Sequence, residues 1–323
     1  MPGLNLVSDI SDEKITLEAI REGFGRGLLE AGKLDKNVVA ACADLTDSTK
    51  MSLFKEAFPE RFIQIGVAEQ NLVTVGAGLT AMGKIPFVSS YAAFSPGRNW
   101  EQIRTTICLN DRPVKIIGSH AGISVGPDGA THQMLEDIGL MRVLPNMVVI
   151  APCDSLEASR AALAMAKDSR PNYMRLAREA TPVITTKDTP FSIGKAYIHK
   201  PGTDISIITT GTMTYQGLVA AERLIKEGIS AEVVHVPTIK PLDYETILES
   251  VRKTGKVVTV EEGQINGGLG SAIAELLGEE LPTPMKRIGM KDRFGESGEP
   301  NELLKHFGLD AEHIRLACHS LLK

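Results

Sequence analysis

Gly66-Val67-Ala68-Glu69-Gln70-Asn71 lies between a strand-like run at residues 61–65 and a helix that we predict over residues 72–82. The helix is rich in glycine and alanine, so it can pack closely against its neighbours. An acid at a helix start has two interpretations. One is a surface carboxylate favoured by the helix dipole. The other is a buried Glu69 that is held for chemistry, and the residues downstream favour this second interpretation.

The length and composition predict a globular protein with two domains. A chain of 323 residues exceeds one ordinary hydrophobic core, and 43% hydrophobic with 23% charged residues is typical of globular proteins. The formal net charge is -5 and no basic run occurs, so we expect no nucleic-acid partner. No apolar run approaches the roughly 18 residues of a membrane span, so we expect no membrane partner.

The N-terminus and the cysteines both predict a cytoplasmic protein. Residues 1–16 contain several acids but no apolar core, so we do not expect a signal peptide. The cysteines form no Cys-x-x-Cys pair, which predicts reduced thiols and no zinc site. They are Cys42, Cys108, Cys153 and Cys318.

Strand and helix patterns alternate along the first half. Short β-branched runs predict strands, and longer amphipathic or alanine-rich runs predict helices. The predicted strands are 37–43, 61–65, 85–90, 114–119, 147–151 and 173–176, and the predicted helices are 15–31, 72–82, 100–110, 134–140 and 155–168. This order is typical of a mostly parallel sheet with helices on both faces, which binds ligands at the carboxyl ends of its strands.

The second half repeats this alternation after residues 178–190, an irregular segment that we interpret as a linker. The strands predicted beyond it are 204–210, 230–236, 256–260 and 285–288, and the helices are 215–227, 244–254, 267–277 and 301–307. The predicted fold is therefore α/β, with two consecutive open, mostly parallel sheets and helices on both faces. The predicted domains are residues 1–185 and residues 186–323.

A glycine cluster in the second half, Gly267-Gly268-Leu269-Gly270, matches no phosphate-binding motif. Close packing of a helix on the sheet explains these glycines without a ligand. We interpret Glu261-Glu262-Gly263, which precedes them, as a solvated turn. This region is therefore not expected to hold a cofactor.

Aromatic and histidine residues in the middle of the first half could form a site. Tyr91 and Phe94 lie on one side of a turn or helix start, and they are either core residues or a stacking surface for a flat heterocycle. His120 and His132 flank a glycine-rich loop that contains Asp128. A single histidine is usually a polar core or surface residue, but such a pair could bind sugar hydroxyls or relay protons near neutral pH.

Polar residues also follow two other predicted strands. Ser48 belongs to a polar cluster after the strand at 37–43, and it is either a helix cap or a ligand contact. Arg175 and Arg178 end the last strand of the first half. They are either anion contacts or members of surface salt bridges.

These motifs together resemble the pyrimidine-binding region of transketolase. The motifs are Val67-Ala68-Glu69-Gln70-Asn71, Ser90-Tyr91-Ala92-Ala93-Phe94, Ser119-His120-Ala121-Gly122 and Gly126-Pro127-Asp128-Gly129-Ala130-Thr131-His132-Gln133, with Asp44-Leu45-Thr46-Asp47-Ser48 and Arg175-Leu176-Ala177-Arg178 in matching order and spacing. Asp292-Arg293-Phe294-Gly295-Glu296-Ser297-Gly298 resembles the family's C-terminal domain. The match spans nearly the whole chain and resembles the C-terminal subunit of a split transketolase.

The resemblance covers only the later part of a transketolase. An earlier domain of the family binds the cofactor diphosphate through a divalent metal, using a Gly-Asp-Gly sequence and a downstream Asn that do not occur as a pair here. The resemblance therefore implies a separate N-terminal subunit that binds Mg2+ or Ca2+, while this chain binds no metal. It also implies two copies of each chain, self-association through the pyrimidine-binding domain, and thiamine diphosphate shared between the chain types.

The resemblance implies a role for each site residue. Glu69 would hydrogen-bond the aminopyrimidine ring and favour its imino tautomer, and Tyr91 and Phe94 would contact that ring; many family members carry Phe in place of Tyr91. His120 and His132 would bind sugar hydroxyls and assist proton transfer. The implied substrate contacts are Ser48, His120, Asp128, His132 and Arg178, with Ser48 and Arg178 at a phosphate.

The implied activity is transfer of a two-carbon ketol unit from a ketose phosphate to an aldose phosphate, as in the pentose phosphate pathway of carbohydrate metabolism. Three alternatives remain. A subunit of 1-deoxy-D-xylulose-5-phosphate synthase shares the motifs but usually has Asp-Arg in place of Ser119-His120. The beta chain of a 2-oxo acid dehydrogenase lacks the sugar-binding loop. A catalytically silent scaffold subunit would not be expected to retain Glu69 and both histidines.

Overall fold

The computed structural model describes residues 6–8, 10 and 15–323. Most of the segment 1–16, on which the prediction about a signal peptide was based, lies outside the described residues. Within the described part of the chain, none of the helices combines the length and apolarity needed to cross a bilayer.

Strands and helices alternate along the chain. The strands are β1 (Leu17–Ala19), β2 (Val38–Cys42), β3 (Phe62–Gln64), β4 (Ile85–Tyr91), β5 (Lys115–Ser119), β6 (Val148–Ile150), β7 (Asn172–Arg175), β8 (Ala180–Pro182), β9 (Tyr197–Lys200), β10 (Ile205–Thr209), β11 (Ala231–His235), β12 (Thr238–Lys240), β13 (Val257–Gln264) and β14 (Met285–Met290). The helices are α1 (Ile20–Leu34), α2 (Ser52–Ala57), α3 (Glu69–Ala81), α4 (Trp100–Gln102, continued by a π-helix at Ile103–Cys108), α5 (Asp137–Arg142), α6 (Ser155–Lys167), α7 (Met213–Ile225), α8 (Tyr244–Thr254), α9 (Leu269–Glu280), α10 (Pro300–His306) and α11 (Ala311–Leu322).

Two open sheets organise these elements. The first has the strand order β12-β6-β7-β5-β4-β2-β3, and the second has the order β14-β13-β10-β11-β9. Neighbouring strands are parallel, except that β12 is antiparallel to β6 and β9 is antiparallel to β11. Every residue of the central strands β2, β5 and β10 is buried, as expected for parallel strands covered on both faces. The predicted fold class is confirmed.

The second half of the chain contributes one strand to the first sheet. Thr238 and Lys240 of β12 pair with Ile150 and Val149 of β6, and the Ala151 N–H donates to the Pro237 carbonyl at 2.8 Å. A buried apolar cluster also contains residues of both halves, such as Met141 and Ile239. The two halves therefore share a sheet edge and a core. A three-residue strand has no periodic pattern from which it could be predicted.

Two short strands at the ends of the first half, β1 and β8, were not predicted. β1 pairs antiparallel with β8, so α1 begins at Ile20 and not at residue 15, and the segment interpreted as a linker contains a strand. Backbone pairing between such distant three-residue segments leaves no local signal in the sequence. The short helix α2 and the C-terminal helix α11 were likewise not predicted.

Glu261 and Glu262 are buried, so their interpretation as a solvated turn is wrong. They belong to β13, which continues to Gln264. The Glu261 carboxylate accepts hydrogen bonds from the backbone N–H groups of Leu269 and Gly270 at 2.8 Å each, and burial raises the pKa of this carboxyl to about 7. A carboxylate of the chain itself thus lies at the start of α9, where a phosphate would otherwise bind.

Glycine allows α1 and α6 to pack in contact. A Cβ atom at Gly23 would lie 1.7 Å from the carbonyl oxygen of Ser155. We predict that Gly23→Ala lowers the midpoint of thermal unfolding, because overpacking costs about 1–3 kcal/mol. Gly278→Ala is the control, since a Cβ there meets no atom within 4 Å, and it should raise the midpoint slightly. Circular dichroism measures both, and a Gly23→Ala midpoint equal to the wild-type value would contradict this packing.

Candidate functional site

The candidate site lies at the carboxyl ends of the parallel strands in the first sheet. β4 ends at Tyr91 and β5 ends at Ser119, directly before His120. Because β4 and β5 are parallel neighbours, with Tyr91 opposite Ser119 in the register, the loops that follow them lie side by side. This is the edge at which open α/β sheets bind ligands.

Glu69 is the first residue of α3, and only 2% of its surface is exposed. Its Oε2 accepts a hydrogen bond from Arg98 Nη1 at 2.7 Å, and its backbone carbonyl accepts one from Asn99 Nδ2 at 2.8 Å. Among the described residues no donor is bonded to Oε1. The carboxylate is therefore buried, as the second interpretation of the sequence proposed, and Arg98 is its charged partner.

The rings of Tyr91, Phe94, His120 and His132 lie together, and Arg98 connects them to the Glu69 carboxylate. The Tyr91 ring stacks on the His120 ring with 3.9 Å between centroids and on the Phe94 ring with 6.2 Å. The His132 ring meets Tyr91 and Phe94 edge-on at 6.2 and 5.5 Å. Arg98 lies over the Phe94 ring, with 4.8 Å from its guanidinium carbon to the ring centroid. The aromatic and histidine residues that the sequence selected separately thus form one cluster.

His120 is buried and held in a left-handed backbone conformation, with a φ angle of 57°. Its Nδ1 lies 2.9 Å from Ser119 Oγ. Burial, together with the nearby positive charges of Arg21 and Arg178, lowers the pKa of His120 to about 3. The imidazole is therefore neutral at physiological pH, which suits hydrogen bonding to a hydroxyl better than uptake of a proton.

Ser48, Asp128 and Arg178 lie near one another. Arg21 bonds Ser48 and Arg178, and Arg178 contacts Asp128. Arg21 donates to the backbone carbonyl of Ser48 at 2.8 Å and to that of Arg178 at 3.2 Å. Arg178 in turn donates to the Val125 carbonyl at 2.7 Å and lies 3.5 Å from Asp128 Oδ1. Sequence reasoning missed Arg21 and Arg98 because neither belongs to a recognisable local pattern.

Arg175 is neither an anion contact nor part of a surface salt bridge. It is buried and forms an ion pair with Asp137 at 2.8 Å. The same carboxylate accepts a hydrogen bond from the Tyr173 hydroxyl at 2.8 Å, and Arg175 also donates to the backbone carbonyl of Glu262. Both sequence interpretations of Arg175 are wrong, because β7 directs this side chain into the seam between the two halves.

Two protein-family models together match most of the chain. The model of the transketolase pyrimidine-binding domain matches residues 18–183, and that of the transketolase C-terminal domain matches residues 194–314. The chain belongs to the transketolase family. A putative transketolase C-terminal section from Methanocaldococcus jannaschii is 46% identical over 300 residues, which cover 92% of this chain and 94% of that protein.

Two further comparisons agree with this membership. A 6-deoxy-6-sulfo-D-fructose transketolase subunit from Clostridium sp. is 41% identical over 302 residues, which cover 94% of each chain. A solved structure described as a split gene transketolase, inactive beta4 tetramer, has a TM-score of 0.89 and 45% identity, and it covers 94% of this chain and 98% of its own. The resemblance to the C-terminal subunit of a split transketolase is thus confirmed.

The pKa of His120 can be measured directly. We predict that the Cε1–H resonance of His120 stays constant from pH 8 to about pH 5, because burial and two nearby guanidinium groups disfavour the imidazolium form. NMR titration of the histidine resonances checks this, with assignment from the spectrum of His120→Gln. A titration midpoint near the ordinary histidine pKa of about 6.5 would contradict the electrostatics of the site.

Proposed function

We propose that this chain is the C-terminal subunit of a split transketolase. It transfers a two-carbon ketol unit from a ketose phosphate to an aldose phosphate with thiamine diphosphate, and a companion chain binds the cofactor diphosphate. The observation that carries the proposal is the buried Glu69 carboxylate at the start of α3, beside the stacked rings of Tyr91 and Phe94.

The donor set suits the aminopyrimidine half of thiamine diphosphate. Such a ring offers flat apolar faces and a polar edge, and the cluster offers half-buried aromatic rings beside a carboxylate. Glu69 would hold the ring nitrogen, while Tyr91 and Phe94 would contact the ring. When bound, the cofactor supplies the nucleophilic carbon that takes up the ketol unit.

The diphosphate-binding motifs of the family do not occur in this sequence as a pair. In this family a Gly-Asp-Gly motif and a downstream Asn together hold the diphosphate and its divalent metal. The two do not occur together in this sequence. We assign the diphosphate and Mg2+ or Ca2+ to the companion chain. The assembly would contain two copies of each chain, which associate through the pyrimidine-binding domains.

Burial would strengthen the hydrogen bond between the Glu69 carboxylate and the cofactor ring. In a site shielded from water, a hydrogen bond to a carboxylate is electrostatically stronger than in solvent. Arg98 offsets the carboxylate charge from the outside, and half of its side chain is exposed. It can therefore reorient without the cost of moving a buried group, while Glu69 keeps its place at the helix start.

The two histidines of the ring cluster, together with Ser48, Asp128 and Arg178, would bind the sugar. His120, as a neutral imidazole, and His132 would hydrogen-bond hydroxyls near the reacting carbons, and Asp128 would contact a further hydroxyl. Ser48 and Arg178 would bind the anion at the far end of the sugar, supported by Arg21. The relative from Clostridium is named for a sulfonated sugar, so the terminal anion of the substrate could be a phosphate or a sulfonate.

The role of Glu69 can be tested by substitution. We expect Glu69→Gln to reduce ketol transfer by about 100-fold, because one preorganised hydrogen bond is lost. The change should leave the fold intact, since the side-chain volume is nearly the same. The measurement is the steady-state rate of the variant mixed with its companion chain, and Glu280→Gln on the exposed end of α9 is the control. A rate above about a tenth of the wild-type rate would exclude this role.

The role of Arg178 can be tested with two types of donor. We expect Arg178→Ala to raise KM for phosphorylated donors by about 10- to 150-fold, because a hydrogen bond to a charged group contributes roughly 1.5–3 kcal/mol. KM for hydroxypyruvate, which carries no phosphate, should change little.

Arg178→Lys is the matched control for this prediction, since it keeps the charge but loses the bidentate geometry, and its KM should be intermediate. An equal loss with both donor types would mean that Arg178 supports the loop through Val125 and does not bind the phosphate.

A further inference from the structure

A second group of reactive side chains lies buried outside the candidate site. Cys153 follows β6, His199 belongs to β9, and His235 ends β11. One ligand atom from each of these residues lies within 4.8 Å of the other two, and all three residues are buried. The cysteine comes from the pyrimidine-binding domain and both histidines come from the C-terminal domain, so the cluster spans the seam between them.

His199 has no hydrogen-bond partner in this cluster. Only 9% of its surface is exposed, and neither ring nitrogen is bonded to any described residue. Its ring stacks on that of His235 with 5.1 Å between centroids. Buried polar atoms are nearly always paired, because leaving them unpaired costs free energy. Both nitrogens of a buried imidazole without a partner therefore indicate a missing ligand.

Glu157 supplies a third unpaired atom at the same place. Its Oε2 accepts the backbone N–H of Cys153 at 2.7 Å and lies 2.8 Å from His235 Nε2, while its Oε1 is buried without a partner. On the other side of the His235 ring, Nδ1 lies 2.8 Å from Thr214 Oγ1. The cluster thus contains a thiol, two imidazoles and a carboxylate.

The charges near the cluster favour a cation. The carboxylates of Glu157 and Asp154 are both buried, and Arg160 is the cation that neighbours them. Asp154 is bonded to the backbone N–H groups of Ile184 and Thr185, and Arg160 is bonded to Thr185 Oγ1 and the Thr186 carbonyl. The Glu157 carboxylate also lies 2.8 Å from His235 Nε2, and a cation bound here would balance the charge of this buried carboxylate.

We propose that Cys153, His199, His235 and Glu157 bind one Zn2+ ion. Thiolate, imidazole and carboxylate are the ligands that zinc prefers, and four protein ligands without an open position form a structural site. Ligand atoms of Cys153, His199 and His235 already lie within 4.8 Å of one another, and Glu157 Oε2 lies 2.8 Å from His235 Nε2. Side-chain rotations would bring these atoms to zinc-bond distances of about 2.0–2.3 Å. The ion would join the two domains at their seam.

Zinc binding requires a defined movement of protons. The Cys153 thiol gives its proton to solvent as the zinc–sulfur bond forms. If His235 binds the metal through Nε2, its proton would lie on Nδ1, where Thr214 Oγ1 accepts it. The sequence analysis predicted no zinc site, because the ligands come from three distant segments and include no Cys-x-x-Cys pair.

The test uses the full chain without its companion, which keeps the cofactor metal out of the measurement. The protein is treated with a chelator and then titrated with Co2+, whose thiolate complexes give a near-ultraviolet charge-transfer band. We expect one Co2+ per chain, a thiolate band with release of about one proton as Co2+ binds, and loss of that band when Zn2+ displaces the Co2+. Cys153→Ser should lose the band and bind Co2+ at least about tenfold more weakly.

Cys318→Ser is the matched control, since Cys318 is also a buried free thiol but lies in α11. It should bind Co2+ as the wild type does. His199→Gln provides a second variant if Cys153→Ser fails to fold, and it should weaken binding while keeping a thiolate band. Absence of stoichiometric Co2+ binding to the wild type, or a band that persists in Cys153→Ser, would overturn the proposal.

Discussion

Burial of the Glu69 carboxylate at the start of α3 is the constraint on which the rest of the site depends. A charge with only 2% of its surface exposed needs a partner, and Arg98 provides one at 2.7 Å. Asn99, directly after Arg98, bonds the Glu69 carbonyl, so the segment after Phe94 is tied to the helix start. Because Tyr91 and Phe94 begin that same segment, the carboxylate and the aromatic rings take up their positions together.

The C-terminal half supports the sugar-binding loop of the proposed function. Glu262 accepts the backbone N–H of Ser124 at 2.7 Å, and Gln133 donates to the Glu296 carbonyl at 2.8 Å. Both ends of the loop that carries Asp128 are therefore bonded to the second half of the chain. The buried ion pair of Arg175 with Asp137 joins the same seam through Glu262. Contacts between the two halves of the chain thus fix the loop that lies between His120 and His132.

Elements and motifs that have a local sequence pattern were predicted. Features that arise only from tertiary contacts were missed. The two mostly parallel sheets were predicted correctly. The four residues that the sequence selected, Tyr91, Phe94, His120 and His132, lie together in the structure. Strand β12 was missed, because three residues carry no pattern. Glu261 and Arg175 were misread, because charged residues were assumed to be solvated although each has buried partners. Neither Arg21 nor the unpaired ring of His199 could be recognised before the fold brought distant segments together.

The central claim is that the buried Glu69 carboxylate activates the cofactor. Its most direct measurement is the rate at which the thiazolium C2 proton of thiamine diphosphate exchanges with deuterium in the complex of this chain and its companion, followed by NMR. We predict exchange about 100-fold slower with Glu69→Gln than with the wild type, whereas Tyr91→Phe, which keeps the ring, should stay close to the wild-type rate. Equal exchange rates for Glu69→Gln and the wild type would contradict the account.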